Sequence, residues 1–176
     1  MTAHPGKKLL FMGGEFGPFT EWRSDAPLEW FLLLYDMHPQ LRECVRTLNR
    51  LYRETPALHD DSLDWEGFRW IQVDDRDNSV FAFLRTDRDG NALLCLTNFT
   101  AAYHEVYRLG LPRAGTLTEI LNTDRNVFGG SDQHNAAPLH TEETPQGGFA
   151  HSVVMKVPPL ATVYLRFDPD EGASAE

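Results

Sequence analysis

The chain has 176 residues, enough for a sizeable core and for one or two domains. Apolar side chains make up 41% and charged ones 24%, an ordinary globular mixture. The formal net charge of −10 counts against a nucleic-acid or anionic-membrane surface. The charge is uneven: residues 1–63 carry 7 basic and 9 acidic side chains, and residues 64–176 carry 9 and 17. No apolar run approaches the ~20 residues that a membrane span needs. The N-terminal MTAHPGKK lacks a signal-peptide core. Cys44 and Cys95 stand singly inside apolar patterns and read as buried thiols in a reducing compartment, the cytoplasm.

In chain order, Lys7–Gly13 comes first. Leu9, Leu10, Phe11 and Met12 are apolar without alternation, which predicts a strand covered on both faces. Gly13 and Gly14 end it, and Glu15, Glu21, Trp22 and Trp30 follow in a polar, aromatic loop. Such a strand feeding an acidic, Trp-bearing loop is how a (β/α) barrel builds one part of its rim. Leu28–Tyr35 reads as a short helix or an irregular plug. From His38-Pro39 to Glu54 the positions Leu41, Cys44, Val45, Leu48, Leu51 and Tyr52 recur at spacings of three and four, predicting an amphipathic helix ended by Thr55-Pro56. Residues 56–67 form a polar connector.

Beyond the connector the period becomes two. Strands are predicted at 68–73, 79–86, 92–98, 102–109, 115–122, 151–157 and 161–167. Asp89-Gly90 marks a hairpin turn, Pro158-Pro159 a tight connection, and 123–149 a long loop. Seven short strands with regular turns predict an antiparallel β-sandwich over residues 64–176, with an acidic tail that frays. The strand-loop-helix unit of residues 1–63 is then a single β/α repeat. A parallel strand has its ladder partners on other strands, so this unit reads as one piece of a larger barrel.

Glu15, Glu21, Asp25 and Glu29 are the carboxylates beside the end of the first strand. Glycosidic chemistry needs two carboxyls flanking a bond, and Glu15 lies nearest the strand end. Trp22 and Trp30 could stack on sugar rings or plug the gap between helix and barrel wall. The seven histidines show no zinc-type pairing, Gly13–Gly17 is neither a dinucleotide nor a phosphate loop, and no serine sits in a nucleophile elbow. Asp74–Asn78 reads as a solvated turn without an EF-hand pattern. No metal or cofactor is expected.

Taken together, GKKLLFMGGEFG (6–17), EW (21–22), APLEWFLL (26–33), LNRLYRETPALH (48–59), GFRWIQVDDRDNSVFAFLR (67–85), NFT (98–100), EILNTD (119–124) and HSVVMKVPPLAT (151–162) resemble the C-terminal portion of bacterial 1,4-α-glucan branching enzymes, in the α-amylase clan. The resemblance implies that Lys7–Gly13 is the last strand of a (β/α)8 barrel, that 38–54 belongs to its last helix, and that a C-terminal β-domain follows. It implies a retaining transfer of α-1,4-glucan segments to a 6-hydroxyl through a carboxylate nucleophile and a carboxylic acid/base. In the family these groups lie on earlier strands, so no catalytic residue is carried over, and the chain alone is expected to be inactive. Carried over as substrate-binding candidates are Glu15, Phe16 and Trp22. Pro18 and Arg23 depart from the usual Gln and Asn of this loop. The implied partners are α-glucan and the N-terminal part of the barrel. Two rival readings are a stand-alone glucan-binding β-module and a fragment of another clan enzyme, such as a trehalose-releasing hydrolase.

Overall fold

The computed structural model describes residues 1–60 and 66–170. The domain boundary expected at 63/64, part of the connector and most of the acidic tail lie outside the described residues. Eight strands form: β1 (Phe68–Asp75), β2 (Val80–Thr86), β3 (Ala92–Asn98), β4 (His104–Leu111), β5 (Gly115–Asn122), β6 (Leu139–His140), β7 (His151–Val157) and β8 (Thr162–Pro169). They make a six-stranded sheet in the order β1-β2-β3-β8-β5-β6 and a two-stranded ribbon β4-β7, with every pairing antiparallel. The β-sandwich expected from the alternation is therefore present. Only the two-residue β6, inside the long loop, is unannounced by any pattern.

The sandwich core lies between sheet and ribbon. Val80, Ala82, Leu84, Leu94, Leu96, Val163 and Leu165 from the sheet meet Leu109, Leu111, Val153, Met155 and Val157 from the ribbon, all of them buried. The opposite face of the sheet is also covered. Leu93 and Cys95 of β3, Leu121 of β5 and Tyr164 of β8 pack against Ala3, Ala57 and Leu58, with Leu48, Leu51 and Tyr52 at the margin. β3 is therefore buried on both sides, which is why ALLCL runs apolar without alternation. The layers are ribbon, sheet and helix.

The helix is α1, Met37–Glu54, one residue longer at its start than predicted. Thr55 is extended, as a residue before proline should be, and the 3-10 turn Pro56–Leu58 then folds the chain back onto the sheet. The segment 28–35 becomes a 3-10 turn at Trp30–Leu34.

The strand expected over Lys7–Gly13 does not form. Leu9, Leu10, Phe11 and Met12 are 74%, 47%, 54% and 36% exposed, and no described strand lies beside them. Without neighbours to complete the ladder, the chain closes on itself in turns instead, Gly14 N–H donating to Phe11 O (3.0 Å) and Phe16 N–H to Gly13 O (3.0 Å).

Candidate functional site

The loop between Gly13 and Tyr35 is anchored from within. Phe16 is fully buried and packs on Trp30, with ring centroids 5.1 Å apart. Gly13, at φ +86°, allows this: a Cβ there would stand 3.0 Å from the Phe16 ring. The backbone carbonyl of Phe16 accepts from His38 Nδ1 at 2.7 Å, and Phe19 lies edge-on to the same imidazole. His38, buried at the start of α1, thus ties the loop to the helix. Sequence reading assigned it only to a helix start, and a lone histidine gives no pattern that would show more.

Phe16 therefore stands as the packing anchor of the loop, its ring turned inward. Among the side chains that the loop shows to solvent are Phe19, 83% exposed, Trp22, 49% exposed and edge-on to Phe11 at 5.2 Å, and the half-buried Glu15. Of the neighbouring carboxylates, Asp25 is held by Arg23 in a two-point pair (3.0 and 2.7 Å), and the guanidinium keeps that carboxyl below its ordinary range. Glu29 accepts from Thr20 N–H at 3.4 Å. Glu15 has no described hydrogen-bond or ion-pair partner. Trp22 thus offers an aromatic face, and Glu15 offers free acceptor oxygens. Trp30, for which stacking on a sugar and plugging a gap were both open, packs on Phe16 and is 54% exposed.

Several motif residues turn out to hold the fold. Asn98 is buried: its amide donates to Ala102 O (2.7 Å) and Pro158 O (3.0 Å), and its oxygen accepts from Thr100 N–H and Oγ1. Asp124 is buried and accepts from Ser131 N–H, Ser131 Oγ and Gln133 N–H at 2.8–2.9 Å, while Asn122 donates to Gln133 O. The Asp74–Asn78 run is more than a solvated turn. Asp75 accepts from Tyr107 Oη at 2.6 Å, joining β1 to the ribbon, and from Asn78. Burial alone would raise the Asp75 carboxyl, but these hydrogen bonds, with His104 nearby, hold it below the ordinary value; the Tyr107 phenol is pushed up by burial and by that carboxylate.

Cys44 and Cys95 are free and buried, and burial raises both thiols. Among the described residues no group of three or more His, Cys, Asp or Glu is placed to hold a metal ion, and no helix is long and apolar enough to cross a membrane.

An antiparallel sandwich that follows a loop and a helix defines a class, and the family model for the α-amylase C-terminal all-beta domain matches residues 70–168. The chain belongs to that family. Among curated relatives it is 47% identical, over 97% of its length, to the 1,4-alpha-glucan branching enzyme GlgB of Aromatoleum aromaticum. It is 48% identical, over 98% of its length, to the GlgB of Cupriavidus necator. It spans about a quarter of those relatives, 27% and 23%. A crystal structure of α-amylase from H. orenii superposes on 95% of this chain and 33% of its own, with TM-score 0.54 and 14% identity, a likeness of fold.

Proposed function

We propose that the chain is the C-terminal portion of a 1,4-α-glucan branching enzyme, cytoplasmic and acting in glycogen synthesis. The observation that carries this is identity of 45–48% to branching enzymes across nearly the whole chain, strand-loop segment included. The substrate is an α-1,4-glucan, and the reaction moves a segment of it to a 6-hydroxyl. The carboxylates for that double displacement belong to the preceding part of the barrel. In that assembly Leu9–Met12 is the last barrel strand, and its four exposed apolar side chains are covered by the strands and helices of the remainder. Burial of each is worth roughly 1.5–3 kcal/mol, which supports the N-terminal part of the barrel as the partner. Trp22 and Glu15 meet the glucan at the rim, and Phe16 holds their loop in place.

The test is a graft. Residues 5–167 replace the corresponding portion of the Aromatoleum aromaticum enzyme, and branching is followed by the iodine absorbance shift of amylose. An active chimera is the expected result, with Trp22→Ala raising KM for glucan. A folded chimera without activity, alongside an active parent, refutes the assignment. The 176-residue chain alone is expected to give no turnover, since loss of nucleophile and acid removes the chemistry.

A further inference from the structure

We propose that the seam between α1 and β5 is a second α-glucan site, separate from the rim loop; the choice of ligand rests on the function proposed above. Two compartments, about 470 and 280 Å³, lie side by side in this groove and share Thr47, Ile120 and Leu121 in their walls. At one end stand Arg50 and Glu54, a helical turn apart on α1, and neither has a described hydrogen-bond or ion-pair partner. Arg166 reaches the same end from β8 and engages Asp168 through Nε alone (3.0 Å), leaving its terminal nitrogens to donate. The floor between is apolar, from Leu51, Leu93 and Ile120.

Ile120 is there because of a bulge. In the β5–β8 pairing Glu119 faces Leu165 and Leu121 faces Tyr164, so Ile120 has no partner residue and sits 41% exposed at the junction of the two compartments. Bulges of this kind re-aim a side chain beside functional sites. Free heads of both signs suit a neutral polyol better than an anion, because hydroxyls both donate and accept. An apolar floor edged by charged groups matches a pyranose, with its C–H faces and rim of hydroxyls. The Arg50 end of the groove is distinct from the rim. The loop touches α1 around His38 and Leu41, and Arg50 lies about 14 Å further along the helix axis.

The experiment is a maltoheptaose titration of the ¹⁵N-labelled 176-residue chain, read by amide shifts. Saturable shifts at Thr47, Arg50 and Ile120 with a millimolar Kd are expected. Arg50→Ala with Arg166→Ala should weaken binding at least about tenfold, and Trp22→Ala should leave these shifts unchanged. If the double variant loses its dispersed β-sheet spectrum, Ile120→Lys is read in its place. Absence of saturable shifts at these amides overturns the proposal, as does binding undiminished in the variants. Tighter binding of inorganic phosphate to the same amides would make this an anion site and overturns it too. The chimera separates the two ideas: an active chimera with a silent groove removes only this inference, and a binding groove with an inactive chimera removes only the assignment of activity.

Discussion

Leu58→Ala probes the seam that joins helix to sheet. Leu58 is fully buried in the 3-10 turn after α1, among Ala57, Leu93, Cys95, Leu121 and Tyr164. Removing its side chain forfeits the transfer energy of the deleted carbons and leaves a void between two rigid layers, so the cost should be about 2–5 kcal/mol. At 2–4 °C per kcal/mol for a chain of this size, Tm should fall by roughly 4–20 °C. The paired control is Leu9→Ala. Leu9 is the same residue type but 74% exposed, and its truncation should shift stability by less than about 0.5 kcal/mol. Both variants are compared with the parent in urea, following far-UV circular dichroism and tryptophan fluorescence. If Leu58→Ala is as silent as Leu9→Ala, the helical layer is not docked on the sheet, and the three-layer description falls. If Leu9→Ala is the costly one, the extended segment has found a covering surface.

Tyr107→Phe should cost about 1–3 kcal/mol at neutral pH, since it removes a 2.6 Å hydrogen bond to a carboxylate. Because Asp75 is held below its ordinary value, its contribution is complete above that value and is lost as pH falls below it. Urea midpoints from pH 7 down to 2.5 should fall less steeply in Tyr107→Phe than in the parent, and parallel curves would contradict the linkage. Asp124→Ala strands two backbone N–H groups and the Ser131 hydroxyl, and should lower stability by about 2–3 kcal/mol or more in the same assay. Gly130→Ala should cost about 1–3 kcal/mol, because a methyl there falls on the Asp124 backbone; a neutral result would mean that the loop is not closed around Asp124.

Much of the β-domain was legible in residue order. β3, β5 and β7 begin and end where alternation and turn residues put them, and the shifts of one or two residues elsewhere are end effects. The helix was legible from its three-four spacing and the proline that follows it. The opening strand was legible only as a composition. Leu9–Met12 has the residues of a strand covered on both faces, but a ladder is a property of at least two segments. At the rim loop, Glu15 and Trp22 could be picked out by proximity to Gly13–Gly14, whereas the inward turn of Phe16 depends on His38, twenty-two residues away. The groove was invisible for the same reason. Arg50, Ile120 and Arg166 come from three elements, and the bulge that exposes Ile120 appears only in the pairing with β8.

The double burial of β3 makes the order of unfolding one-directional. α1 and the turn after it can lift away and leave sheet and ribbon closed around their own core, since Leu94 and Leu96 face away from the helix. The reverse cannot happen: once β3 leaves the ladder, Leu93 and Cys95 leave with it, and the helical layer has nothing to lie on. Amide exchange should therefore rank α1 as the shallower unit and β3 with β8 as the last to open. In any longer protein that contains this chain, strain applied through the helix would be dissipated at the seam before it reached the sandwich.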